Sequence, residues 1–120
     1  MNHPVRVLVV DDQAVVRNAT RSLLEATRDF EAVGEAASGI EALTAVDELD
    51  PDLVLLDVRM PDMDGVETAA RIKAAHSETV VVLMSSDPRA PRAPSLAFVQ
   101  KERLKPALLR DLWARFAPSA

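Results

Sequence analysis

The sequence predicts an α/β protein: an open, doubly wound parallel sheet with helices on both faces. Two observations carry this. "VRVLVV" (5–10), "DLVLLD" (52–57) and "TVVVLM" (79–84) are branched apolar runs without polar alternation, each too short for a core helix. Such runs are strands buried on both faces, the mark of a parallel sheet. Amphipathic helical stretches separate them, and strands alternating with helices close through right-handed crossovers into a sheet covered on both sides.

After the first strand, Val16, Ala19, Leu23, Leu24 and Thr27 recur at three- and four-residue steps and predict a helix. "FEAVGEA" (30–36) reads as a short second strand. Gly39-Ile40 opens a helix that runs to about Leu49, where Asp50-Pro51 stops it. "MPDMDG" (60–65) is turn chemistry, and Val66, Ala69, Ala70 and Lys73 mark a weaker helix beyond it. "LAFVQ" (96–100) is an edge strand, and Leu108, Leu109, Leu112 and Phe116 belong to a final helix. Between the fourth and fifth strands the alternation breaks. Prolines 88, 91 and 94 forbid a regular helix, so 86–96 reads as a proline-rich loop, irregular or polyproline II, replacing one.

The 120 residues, 48% of them hydrophobic, suit one domain over 1–120 with a core that needs no staples. With no cysteine, a disulfide scaffold and a thiolate metal site are excluded. Fourteen basic against 19 acidic residues give a formal charge of -5, which disfavours direct nucleic-acid binding. The start "MNHPVR" lacks the order of a signal peptide and no apolar run reaches membrane-spanning length, so the expectation is a cytoplasmic location without a membrane partner.

In open sheets of this kind ligands bind beyond the carboxyl ends of the strands, where strand order reverses. The first strand ends in Asp11-Asp12, the third in Asp57, the fourth in Ser85-Ser86, and the last approaches Lys101. Three neighbouring carboxylates repel unless a cation intervenes, and a hard divalent ion such as Mg²⁺ suits few protein oxygens and several waters. A lysine opposite completes a pocket for an anion such as a phosphoryl group, to which Ser85 can donate. Each residue also has a plainer reading: Asp12 as a helix cap, Asp57 and Ser85 as turn residues, Lys101 as a solvated charge. Only their conjunction argues for a site.

"VLVVDDQAVVR", "PDLVLLDVRMPDMDGVE", "VVLMSS" and "FVQK" resemble, in order and spacing, the receiver domain of bacterial two-component response regulators, over essentially the whole chain. "DFEAVGEAASGIEAL" is similar to the subfamily that carries a helix-turn-helix output domain. The resemblance implies a flavodoxin-like sheet in the order 2-1-3-4-5 and a signalling domain rather than an enzyme. Asp57 would accept a phosphoryl group from a sensor histidine kinase or phosphotransfer protein. Mg²⁺ would sit on Asp57, on Asp12 directly, on Asp11 through water or by orientation, and on the Arg59 backbone carbonyl. Ser85 matches the switch hydroxyl and Lys101 the lysine that pairs with a phosphoryl oxygen. Phe98 matches an aromatic whose rotamer reports phosphorylation, unless it is simply a half-buried edge residue, and Ser86 and Asp87 fall where the switch is tuned.

Two other classes compete. One is a pseudo-receiver, a phosphorylation-independent interaction module; the other is a Mg²⁺-dependent phosphohydrolase with Asp57 as nucleophile, which would want a carboxylate where Arg59 stands. Arg59 and Asp87 flank the pocket with opposite charges, positioned to pair across its mouth. Glu102 follows Lys101 where the family often has proline, which leaves the isomer of that peptide open. Loss of a helix should uncover apolar surface among Val80, Val82, Met84, Ala97 and Val99. Either the loop folds over that face, or a homodimer or other partner covers it near 80–99.

Overall fold

The three apolar runs lie side by side at the centre of one sheet. In a computed structural model, which describes residues 3–118, the strands are β1 (Val5–Val10), β2 (Phe30–Ala36), β3 (Leu53–Asp57), β4 (Val80–Ser85) and β5 (Ala97–Gln100). All pair in parallel, in the order β2-β1-β3-β4-β5, as expected for a flavodoxin-like fold. β3 and β4 are buried along their full length, which explains why they carry no polar alternation.

Four helices cover the sheet: α1 (Ala14–Ala26), α2 (Gly39–Leu49), α3 (Gly65–Ala75) and α4 (Pro106–Phe116). Local chemistry sets their ends. Ser38 caps α2 by accepting from the Glu41 amide, while the Glu41 carboxylate accepts from the Ala37 amide. Asp50, at φ 47°, turns the chain out of α2 in the left-handed region. Asp64 caps α3 through the Glu67 amide at 2.7 Å, and Pro106 begins α4, where a missing amide costs nothing.

Alternation along the strands splits the core in two. Val7, Val9, Val80, Val82, Met84 and Val99 pack with Leu24 of α1 and with Leu109 and Leu112 of α4. Leu8, Val10, Val54, Leu56, Val81 and Leu83 face α2 and α3. The buried stripe of α3 is Thr68, Ala69 and Ile72 rather than the expected Ala70, which is exposed. Thr68 fits there because its hydroxyl donates to the Asp64 carbonyl at 2.9 Å. Phe116, expected in the core stripe of α4, is 38% exposed.

No helix stands between β4 and β5. Residues 86–96 form an irregular loop with two turns, closed by the Ala90 amide on Asp87 O and the Leu96 amide on Ala93 O. The expectation that this loss uncovers Val80, Val82, Met84, Ala97 and Val99 is corrected: four are buried and Ala97 is half-buried against the same cluster, because their side of the sheet belongs to α1 and α4. The side left without a helix carries Val81 and Leu83, and the loop folds over it with Ala90 buried and Ala93 and Leu96 packed alongside. The sequence reading assigned β4 to the wrong face by one residue, which exchanges all its side chains between faces. An uncovered apolar patch therefore supplies no reason for self-association. Ala90→Asp should destabilise the protein by about 2 kcal/mol, since it places a carboxylate against this apolar surface. Urea denaturation would measure the change.

Candidate functional site

Parallel register brings the polar strand ends to one rim. Asp57 pairs with Met84 and Ser85 with Gln100, so the carboxyl ends of β3, β4 and β5 emerge together. Asp11 and Asp12 follow β1, which adjoins β3 at the point where the connections reverse direction. A cleft of about 330 Å³ opens there, lined by Asp12, Asp57, Arg59, Ser85, Asp87 and Lys101, with Ser86 at its edge. Asp11 is fully buried beside it.

Lys101, the first residue after β5, reaches back across the rim. Its Nζ donates to Asp11 Oδ2 at 2.6 Å and to Asp57 Oδ2 at 3.2 Å. The other oxygen of each carboxylate accepts a backbone amide, Asp11 Oδ1 from Gln13 and Asp57 Oδ1 from Arg59. One carboxylate oxygen from each of Asp11, Asp12 and Asp57 lies within 4.8 Å of the others. Asp12 does not cap α1: Gln13 holds that position and makes no side-chain cap. The plainer reading of Asp12 thus fails.

The charges in this cluster are unbalanced. Burial raises the Asp57 carboxyl above its ordinary range; the Arg59 amide and Lys101 pull it down, and neighbouring Asp11 pushes it up again. Desolvation lowers the Lys101 ammonium, but its contacts with Asp11 and Asp57 outweigh this and leave its pKa raised. An ion pair would lower the acid as well as raise the base. Here the acid stays high because burial outweighs the pull of the Arg59 amide and Lys101, and the neighbouring Asp11 charge adds to it. The cluster holds more negative charge than Lys101 neutralises, and this excess favours a cation.

The remaining expected residues are placed as follows. Ser85 is buried, and its Oγ accepts from the Asp87 amide at 3.0 Å, which leaves the hydroxyl proton available. Arg59 Nη2 and Asp87 Oδ2 meet at 3.1 Å, the pair anticipated from their spacing, with the Arg59 side chain 64% exposed. The amide of Arg89 is the main cause that holds the Asp87 carboxyl low, and Arg59 adds to it. Ser86 adjoins Glu102, whose carboxyl is held low by its own amide and then by the Ser86 hydroxyl. Phe98 is not in the cleft. It packs half-buried against the α2 and α3 side of the core, with the Arg92 guanidinium 4.0 Å from its ring centre. No cis peptide occurs among the described residues, so Lys101-Glu102 is trans.

Three supports of the site escaped the sequence reading. Gly65 carries its amide to Val58 O at 2.7 Å, and a Cβ there would lie 2.6 Å from Asp57 O and Val58 Cα. Asp62, taken only as turn chemistry, accepts from the Gly39 and Ile40 amides and so ties the loop after β3 to the start of α2. Those two amides, Ile40 first, hold its carboxyl below the usual range. Arg17 donates to the Asp11 carbonyl at 2.7 Å and pairs with Glu35. The glycine of "MDG" was the only available signal; nothing local marks Asp62 as a partner of backbone 22 and 23 residues away, or Arg17 as a partner of Glu35.

Known proteins are similar to this chain in sequence and in fold. The chain is 46% identical over 82 residues to the response regulator protein VraR of Staphylococcus epidermidis, covering 68% of this chain and 39% of that protein. It is 44% identical, also over 82 residues and 68% of its length, to a protein-glutamate methylesterase/protein-glutamine glutaminase of Nocardioides, of which this is 22%. The chain thus spans less than half the length of these curated relatives. Among solved structures, the response regulator domain of CheB from Thermotoga maritima superposes with a TM-score of 0.81 at 26% identity, over 98% of this chain and 100% of that one. The signal receiver domain of NarL from Mycobacterium tuberculosis gives 0.77 at 30%, over 91% and 95%. The family model for the response regulator receiver domain matches residues 7–99, a span that includes every strand-end carboxylate and Ser85, and the chain belongs to that family.

Proposed function

We propose that this receiver domain accepts a phosphoryl group on Asp57 in a Mg²⁺-dependent transfer from a phosphohistidine of a partner kinase or phosphotransfer protein. One observation carries the reading: three carboxylates and a lysine from the ends of β1, β3 and β5 converge, with Asp57 among them. An Asp57 carboxylate oxygen attacks phosphorus and the P–O bond forms. The P–N bond to the donor imidazole breaks, and its electron pair leaves on the ring nitrogen.

Asp11, Asp12 and Asp57, with the Arg59 backbone carbonyl, would hold the Mg²⁺. Bound there, the ion supplies charge neutralisation for the transferring group. Lys101 swings its ammonium from the carboxylates to a phosphoryl oxygen, and the Ser85 hydroxyl donates to another. The added charge of nearly -2 then rearranges the rim, and that is the signal. Incubation with acetyl phosphate and Mg²⁺ should add the mass of one phosphoryl group, and beryllofluoride should shift amide resonances around the cleft. A pseudo-receiver would show neither change.

Two further outcomes follow from the geometry. Lys101 contacts two of the proposed metal ligands, so it competes with the ion for them. Lys101→Gln should therefore bind Mg²⁺ more tightly, by about tenfold, because it removes the cation that contacts both buried carboxylates. The same variant should phosphorylate more slowly; Mg²⁺ titration and the rate of mass gain test the two halves separately. Arg59 and Asp87 close over the cleft mouth, so Arg59→Ala and Asp87→Ala should each shorten the acyl-phosphate lifetime severalfold by admitting water. Unchanged lifetimes in both would remove any role for this exposed pair.

A further inference from the structure

The first turn of α1 forgoes a side-chain acceptor. Gln13 occupies the cap position without a side-chain bond, and Asp12, one residue earlier, directs its carboxylate to the cleft instead. Aspartate is among the best acceptors for the free amides that open a helix, so this orientation gives up a favourable local bond. The peptide between Asp11 and Asp12 must therefore be held against local preference.

The hydrogen bonds of Asp11 identify what holds it. Its amide donates to Ala36 O at 3.1 Å, and its carboxylate accepts from Gln13 and Lys101. Its carbonyl belongs to the peptide that joins it to Asp12 and accepts from Arg17 Nη1 at 2.7 Å. Arg17 is itself anchored, because its Nε donates to Glu35 Oε1 at 3.0 Å and the planar guanidinium spans both acceptors. Glu35 lies on β2 next to Ala36, so the two residues that fix Asp11 from this side are neighbours. The second Glu35 oxygen pairs with Arg21 at 2.6 Å. Among the described residues, Arg21 reaches Glu35 and not Asp11. The Arg17 and Glu35 side chains are 19% and 23% exposed, so solvent screens their contact less than that of an open surface pair.

We infer that Arg17 is a positioning residue for the metal ligands: by holding the Asp11 carbonyl, it keeps the Asp11-Asp12 peptide turned so that Asp12 faces the cleft and not the start of α1. The consequence for the ion rests on the Mg²⁺ site proposed above, whereas the orientation of the peptide does not. A plainer role, an ion pair that ties α1 to β2, makes a different demand: Arg21 would serve it as well as Arg17 does.

Two measurements separate these roles. In isotopically labelled protein without Mg²⁺, Arg17→Met should move the Asp11 carbonyl carbon resonance and the Ala14 and Val15 amide resonances, as the carbonyl loses its donor and Asp12 turns to the open amides. Arg21→Met also removes an arginine from Glu35, yet it should leave those resonances in place. In calorimetric Mg²⁺ titrations, Arg17→Met should bind the ion about tenfold more weakly than the parent, and Arg21→Met should match the parent. Arg17→Lys keeps a cation beside Glu35, and so the tie to β2, but lacks the planar fork; its affinity should lie between. Unmoved resonances in Arg17→Met would overturn the inference, as would equal losses of Mg²⁺ affinity in Arg17→Met and Arg21→Met. A parent protein that binds no Mg²⁺, while the resonances move as described, would uphold the orienting role of Arg17 and overturn the metal reading instead.

Discussion

Asp57→Asn should abolish phosphoryl uptake from acetyl phosphate, with no mass gain at times when the parent protein is fully modified. The amide side chain has nearly the shape of the carboxylate but no anionic oxygen to attack phosphorus. The other two carboxylates are poor substitutes, because Asp11 is fully buried behind Lys101 and Asp12 is exposed at the cleft edge. Removing one charge from a cluster that carries an excess of negative charge also relieves repulsion, so the variant should be no less stable than the parent in urea. Retained uptake in Asp57→Asn would show that another carboxylate is the acceptor and would sink the assignment of Asp57.

Gly65→Ala should be the most damaging small substitution in the protein, destabilising it by about 2–3 kcal/mol in urea denaturation. The added methyl falls 2.6 Å from Asp57 O and from Val58 Cα, and backbone cannot turn aside as a side chain can. Relief requires α3 to move away from the end of β3, which also breaks the 2.7 Å bond from the Gly65 amide to Val58 O. The variant should lose acceptor activity as well as stability, because the displaced atoms carry Asp57. Gly34→Ala makes the control. Its methyl meets Leu49 Cδ1 at 2.6 Å, the end of a flexible side chain that can change rotamer, so its cost should be distinctly smaller and its effect on phosphoryl uptake nil. Equal stability losses in the two variants would contradict the backbone clash at Gly65.

Much of the fold was legible because buried parallel strands leave an unusual trace. "VLVV", "LVLL" and "VVVL" have few alternatives as structure, and Asp50-Pro51 marks the end of α2 whatever surrounds it. The site was legible for a related reason: each chemical residue sits at or next to a strand end, and strand ends can be read from the runs themselves. The errors fell where position depends on partners. The inward side of β4 is set by which helices pack on it, and a shift of one residue reverses the assignment. The stripe of α3 was misread because Thr68 becomes acceptable in the core only through its bond to Asp64.

By itself, the sequence determined the strand-helix alternation, the strand order implied by its family resemblance, the absent helix in the proline-rich stretch, and the residue types at the rim. Those features depend on local propensity and on short spacings along the chain. Only the tertiary structure decided that the loop 86–96 seals its own side of the sheet, and that Lys101 bridges Asp11 and Asp57 across 90 and 44 residues of sequence. The tertiary structure also decided that Gly65 must lack a side chain. Those features depend on distances between segments far apart in the chain, which exist only once β1, β3, β4 and β5 lie in register.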